Sequence, residues 1–241
     1  MSHDALDILA FAPHPDDAEL YCGGTLLLHK RDGRRTGVID LTRGELSTRG
    51  TPASRAAETV EATRLLGLDV RDNLGLPDGD IVNSMENRRT VVRAIRRWRP
   101  TVVLLPWPHD RHPDHEHASV LVREAIFAAG LARIETETAD GKAQEAYRPA
   151  RAYYYMLSED FTPAFIVDIS TVFEDKLAAI RAYRTQFHTG VPIEGPHTYI
   201  STPEFLQSLV GRAQRLGFHI GARYGEGFAG LQALKLEATG M

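Results

Sequence analysis

The chain has 241 residues, of which 43% are hydrophobic and 25% charged, enough for one sizeable α/β domain with a full core. Its net charge of −4 offers no electrostatic footprint for nucleic acid, and no apolar stretch approaches the roughly 20 residues of a membrane-spanning helix. Cys22 is the only cysteine, which excludes an intramolecular disulfide and fits a cytoplasmic setting.

In chain order, Met1-Ser2-His3-Asp4 lacks the basic and apolar regions of a secretory signal. Leu6 to Ala12 reads as a strand buried on both faces, because its hydrophobicity is almost continuous. A helix is predicted from Ala18 to Arg31 and a second strand from Thr36 to Leu41. Pro52 to Leu66 reads as a helix, with proline in its first turn and Gly67 as its stop. Asp72 to Leu76 is a short predicted strand. Ser84 to Trp98 is a helix broken by Pro100, Thr101 to Leu105 a buried strand, and His115 to Ala129 a further helix. Glu135 to Arg148 is polar and reads as a loop or insertion. Ala150 to Met156 and Ala164 to Ile169 read as strands. A helix begins at Asp168 or Ser170 and ends near Tyr183. Gln186 to Tyr199 reads as a long surface loop, a candidate mobile lid, and Pro203 to Leu216 as the last helix. This alternation predicts a Rossmann-like, three-layer α/β sandwich with a mostly parallel sheet. No repeat, low-complexity stretch or linker divides the chain, so one domain over residues 1–241 is expected.

Chemistry concentrates in two clusters. His14-Pro15-Asp16-Asp17 follows the first strand, and His112-Pro113-Asp114-His115 follows a later one. In open α/β sheets ligands bind beyond the carboxyl ends of the strands, so clusters far apart in sequence can meet there. A catalytic zinc site needs about three protein ligands and an open position for water. One histidine and one carboxylate of the first cluster, with one histidine of the second, supply that set. Asp16 is then free to act as general base. His112 can stabilise an oxyanion or protonate a leaving amine, and Asp114 can orient an imidazole. The set suits amide hydrolysis. A lone His-Pro-Asp triplet is a common turn sequence; two of them at strand ends raise the expectation of a metal site considerably.

Other features carry simpler readings. His3, His29, His117, His197 and His219 read as surface or structural residues, while His109 and His188 stay open. Gly23-Gly24-Thr25 lacks both phosphate-loop and dinucleotide spacings and reads as close helix packing. Cys22 reads as a small buried thiol. Arg93, Arg96, Arg97 and Arg99 read as a solvated helix face.

The run Ala12-Pro13-His14-Pro15-Asp16-Asp17-Ala18-Glu19, with Gly23-Gly24-Thr25 and His112-Pro113-Asp114-His115, resembles the two motifs of the LmbE-like, or PIG-L, N-deacetylases. The resemblance continues through Asp40-Leu41-Thr42-Arg43-Gly44-Glu45, Ser54-Arg55-Ala56-Ala57-Glu58, Asn73-Leu74-Gly75-Leu76-Pro77-Asp78 and Asp110-Arg111. It extends to Tyr153-Tyr154-Tyr155-Met156, Ala182-Tyr183-Arg184-Thr185-Gln186-Phe187 and Tyr224-Gly225-Glu226-Gly227-Phe228. It implies His14, Asp17 and His115 as zinc ligands, Asp16 as base, and His112 as the group assisting the intermediate, with Asp114 orienting His112. It implies Arg55 as a substrate contact, a guanidinium suited to a carboxylate. It is most similar to the bacillithiol branch, which deacetylates N-acetylglucosaminyl-malate. Chitooligosaccharide, mycothiol-type and antibiotic-linked N-acetyl sugars are the alternative substrates, and a sugar- or metal-binding module is the non-enzymatic one. A nucleotide-dependent oxidoreductase is disfavoured by the missing glycine fingerprint. Iron(II), manganese or cobalt could replace zinc in such a ligand set. Relatives imply a homo-oligomer, hexameric in some, with a small-molecule substrate and no membrane or nucleic-acid partner. Pro13 and Tyr21-Cys22 depart from the smaller residues usual at those places.

Overall fold

A computed structural model describes residues 5–189 and 195–232. The segments 1–4, 190–194 and 233–241 lie outside the described residues, and with them the N-terminal reading and the middle of the Gln186 to Tyr199 loop. The strands are β1 (Ile8–Ala12), β2 (Thr36–Asp40), β3 (Val70–Asn73), β4 (Val102–Pro106), β5 (Arg151–Tyr155), β6 (Phe165–Asp168) and β7 (Gly225–Gly230). The helices are α1 (Asp17–Arg31), α2 (Pro52–Leu66), α3 (Met85–Trp98), α4 (Pro113–Ala129), α5 (Phe173–Arg181) and α6 (Pro203–His219).

The strands form one sheet in the order β3-β2-β1-β4-β5-β7-β6. The first five are parallel, and β7 runs antiparallel to both of its neighbours. Alternate residues of β1 serve two cores, as the pleat requires. Ile8, Ala10 and Ala12 pack with residues of α1, α2, α5 and α6, whereas Leu9 and Phe11 pack with residues of α3 and α4. Both faces are therefore covered, which is why β1 is apolar throughout.

The helix signals act as expected. Thr51 caps α2, Pro52 occupies its first turn, and Gly67 ends it with φ 64°. Ser84 caps α3 by accepting from Asn87 N at 3.1 Å. Four readings need correction. The third strand is Val70–Asn73, two residues earlier than read, because Leu74 and Leu76 instead turn back to Asp40 and Leu41. Helix α4 starts at Pro113, so His115 lies in its first turn. Helix α5 starts at Phe173, after a tight turn in which Asp168 accepts from the Ser170 amide and hydroxyl. Arg96 is no solvated cation. It is buried in α3 and donates to Ala129 O, Leu131 O, Ile134 O and Thr136 Oγ1, holding the chain that leaves α4.

Strand β7 was not anticipated, since its sequence, Gly225-Glu226-Gly227-Phe228-Ala229-Gly230, opposes strand propensity. Close packing explains the glycines: a Cβ on Gly225 would meet Ile166 Cγ2 at 2.6 Å. Glu226 then reaches the centre of α1. It accepts from Gly24 N at 2.9 Å, Thr25 N at 2.8 Å and Thr25 Oγ1 at 2.7 Å, and pairs with buried Lys176 at 2.7 Å. Gly24 is the contact that permits this approach, as expected for the Gly23-Gly24 pair; a Cβ there would meet Ile169 Cγ2 at 2.8 Å. Glu226→Ala would strand the Lys176 ammonium and is expected to lower unfolding free energy by about 3–5 kcal/mol. Urea denaturation checks it, and a loss below about 1 kcal/mol, typical of an exposed pair, would contradict it.

Candidate functional site

The strand order contains a switch between β1 and β4. After β1 the chain builds β2 and β3 on one side, then returns to lay β4 on the other. Register pairs Ile8 with Val102 and Ala10 with Leu104, so the two strands end side by side. The loops that leave them carry the two histidine–aspartate clusters. A cleft of about 440 Å³ opens there, lined by His14, Asp16, Asp17, Arg55, His112 and His115 among others.

His14, Asp17 and His115 converge as the sequence predicts, with potential ligand atoms within 4.8 Å of one another. Asp17 Oδ2 lies 3.2 Å from His14 Nδ1 and 3.4 Å from His115 Nε2. The far nitrogen of each imidazole is held by carboxylate. His14 Nε2 lies 3.1 Å from both Asp114 Oδ2 and Asp78 Oδ1. His115 Nδ1 lies 3.0 Å from Asp110 Oδ1. Each ring thus presents its other nitrogen to the centre. This is the arrangement by which carboxylates fix metal-ligating histidines.

The electrostatics ask for a cation at that point. Burial opposes charge on His115, yet Asp17 and Asp110 outweigh it and raise its pKa to about 9. Burial likewise opposes charge on His14, but Asp114, Asp17 and Asp78 hold it well above the ordinary histidine value. For Asp114 burial acts upward, and hydrogen bonds from His14, Gly79 N and Ile81 N bring it down to about 2. A divalent ion would replace the protons this carboxylate set now draws onto the rings, so two imidazoles and a carboxylate fit such an ion.

Asp16 sits at the entry to α1 with φ 119°, a left-handed backbone that is costly for a non-glycine residue. Burial pushes its carboxyl up to about 7, against the pull of Arg55. Arg55 donates through Nη2 to Asp16 Oδ2 at 2.8 Å, and through Nε and Nη2 to Pro15 O. Its guanidinium has these partners within the protein and also lines the cleft, where the resemblance implied a substrate contact. The exposed cleft guanidinium is Arg111. It stacks on Tyr199 at 4.3 Å from the ring centroid, and no carboxylate among the described residues pairs with it.

His112 caps α4. Its Nδ1 accepts from Asp114 N at 3.2 Å, so in the neutral imidazole the proton resides on Nε2. Burial, then the neighbouring His14 and His115, lower its pKa and favour that neutral form. The Asp114 carboxylate lies 3.1 Å from His14 Nε2, and its backbone amide donates to His112 Nδ1. The Asp114 carboxylate also accepts from Gly79 N and Ile81 N, and one of its oxygens lies within 4.8 Å of a His112 ring nitrogen.

Two positioning groups had no assigned role in the sequence. Asp110 binds His115, His112 N at 3.0 Å and Ser158 N at 2.8 Å. Asp78 binds His14 and Leu46 N. Their only signal was membership in Asp110-Arg111 and Leu76-Pro77-Asp78. His109 is exposed beside Trp107, and His29 bonds Thr25 O within α1.

An α/β sheet carries at its switch point a His-Asp-His centre that could hold a metal ion. Comparison with known proteins places it more closely. Residues 9–126 match the family model PIG-L: GlcNAc-PI de-N-acetylase. The chain is 32% identical over 195 residues to a diacetylchitobiose deacetylase of Thermococcus kodakarensis, covering 77% of this chain and 72% of that one. It is 29% identical over 198 residues to a probable N-acetyl-alpha-D-glucosaminyl L-malate deacetylase 2 of Bacillus anthracis, covering 76% and 83%. A crystal structure of a conserved protein of Thermus thermophilus superposes with a TM-score of 0.84 at 39% identity, covering 97% and 98%. The chain belongs to the PIG-L deacetylase family.

Asp110→Asn is expected to weaken zinc binding about 10–100-fold by freeing the His115 ring. Competition against a chromophoric chelator measures it, and unchanged affinity would mean that His115 needs no such partner.

Proposed function

We propose that this protein is a cytoplasmic, zinc-dependent deacetylase of an N-acetylglucosamine conjugate, with N-acetylglucosaminyl-malate as substrate. The observation that carries the reaction is the convergence of His14, Asp17 and His115 beside two further groups, Asp16 and His112, that a purely structural metal site would not need. A divalent ion held by those three residues would polarise the amide carbonyl and make water a stronger nucleophile. Asp16 takes the proton of the attacking water. Among the described contacts Arg55 occupies its Oδ2, which leaves Oδ1 for that task. His112 in its neutral form donates a hydrogen bond from Nε2 to the developing oxyanion, and the proton taken up by Asp16 passes to the departing amine. Water is added across the amide, and acetate and a primary amine are released.

The malate aglycone is supported by Arg111, a cleft guanidinium with no described carboxylate partner, since a guanidinium pairs well with a carboxylate. The Bacillus anthracis relative points the same way. The Thermococcus kodakarensis relative favours the second reading, a neutral chitobiose-type sugar.

The test is amine release from N-acetylglucosaminyl-malate and from diacetylchitobiose, as purified, after chelation and after zinc is restored. Turnover should vanish with chelator and return with zinc. Asp16→Asn should keep its metal and lose about 10²–10⁴ of the rate. Arg111→Gln should raise KM for the malate conjugate alone; an equal effect on both sugars would favour the neutral substrate.

Assembly into a homo-oligomer, a hexamer in particular, belongs to the same reading. Its support in the structure is the apolar groove between α3 and α4, where Met85 and Phe127 are 63% and 61% exposed. Light scattering of the purified protein should report a mass above that of one chain.

A further inference from the structure

The proposed reaction leaves open what decides which acyl group is removed, and the first turns of α1 address it. Asp17 begins α1, and Leu20 and Tyr21 follow at three and four residues, on the same helix face. Both line the cleft and both are buried, at 5% and 7% exposure. The other apolar cleft residues are less buried: Ile200 is half-buried, and Leu46 and Tyr199 are 70% and 60% exposed. Leu20 and Tyr21 therefore form the buried apolar wall nearest the metal ligand. The Tyr21 ring is fixed in place. Its hydroxyl lies 3.4 Å from Ser158 Oγ, and its face runs parallel to Tyr155 at 6.4 Å between centroids.

The same two residues border a second, smaller cavity on their far side. It measures about 30 Å³, and Met156, Leu209, Ala213 and Leu216 supply its apolar lining. Three charged groups line it too, each with a partner: Lys176 pairs with Glu226, and Arg212 donates to Leu157 O and Ser158 O. Leu20 and Tyr21 thus stand between the cleft and a small space of mixed apolar and charged lining.

We propose that this partition seats the methyl of the acyl group and that Tyr21 is the residue that limits the substrate to short N-acyl chains. The inference rests on the deacetylase reading. The reaction is unchanged by chain length: water adds to the acyl carbon, the C–N bond breaks, the amine leaves with a proton and the acyl group leaves as carboxylate. A longer chain meets the Tyr21 ring. Shortening that side chain joins the cleft to the cavity behind it and makes room for further methylenes.

The experiment compares N-acetyl-, N-propionyl- and N-butyryl-glucosaminyl-malate with the zinc-loaded wild type and with Tyr21→Phe, Tyr21→Leu and Tyr21→Ala. Metal content and Tm are recorded for each variant. One methylene in a pocket discriminates by roughly 10–200-fold. Wild type and Tyr21→Phe should therefore prefer acetyl over butyryl by about a hundredfold or more, since both keep the ring. Tyr21→Leu and Tyr21→Ala should narrow that preference to about tenfold or less. A second readout needs no turnover: calorimetric binding of acetate against butyrate should shift towards butyrate in the same two variants. Folded, metal-loaded Leu and Ala variants that keep the wild-type acyl ratio and the wild-type carboxylate preference would overturn the proposal, as would Tyr21→Phe shifting as far as Tyr21→Ala. Absence of turnover by wild type on every amide would instead strike the deacetylase reading, with the carboxylate binding still deciding the role of Tyr21.

Discussion

The pairing of β1 with β4 is the constraint on which the site depends. Those two strands are neighbours only because the chain builds β2 and β3 to one side before crossing back. Their parallel register ends both strands at the same level. Residues His14 and Asp17 on one exit loop then meet His115 on the other, though they are about a hundred positions apart in sequence. The switch point is where an open α/β sheet leaves a crevice uncovered by helices. The fold thus supplies the crevice, and the two loops supply the donors.

Around that centre the protein concentrates carboxylates and then orders them. Asp114 and Asp78 face one imidazole, and Asp110 faces the other. A second buried layer lies behind α1. Arg71 holds Asp40 through two hydrogen bonds of 2.9 Å and also reaches Glu19, which accepts from the Tyr183 hydroxyl. Buried charge on this scale is tolerated only when each group is paired. Arg55 belongs to the same order. It ties α2 to the strained turn at Asp16, and it connects the candidate base to a rigid element rather than to a mobile loop. Precision of this kind in the supporting groups is what holds reacting side chains within productive geometry.

Much of this was legible in the chain. The strands β1, β2 and β4 are apolar and short, and helices α2 and α3 carry caps and stops, so both kinds of element announce themselves. The two clusters announced the residues that converge. What escaped had no local signature. Strand β7 is built from glycines, whose use is close approach to α6 and β6 and whose propensity argues against a strand. Arg96 looked solvated because its helix bears many arginines, yet the carbonyls it binds lie on the chain beyond α4. Asp110 and Asp78 were visible as residues but not as partners, because their partners are chosen by the fold.

The sequence by itself determined the element types, the family resemblance and the chemical identity of the donors, since periodicity, caps and residue types are local properties. Tertiary structure alone decided which nitrogen of each histidine faces the centre. It also decided that Asp114 bonds His14, that Arg55 bonds Asp16, and that Arg111 is an exposed guanidinium at the cleft. Those are distances between residues remote in the chain, and only the packed sheet and its helices fix them.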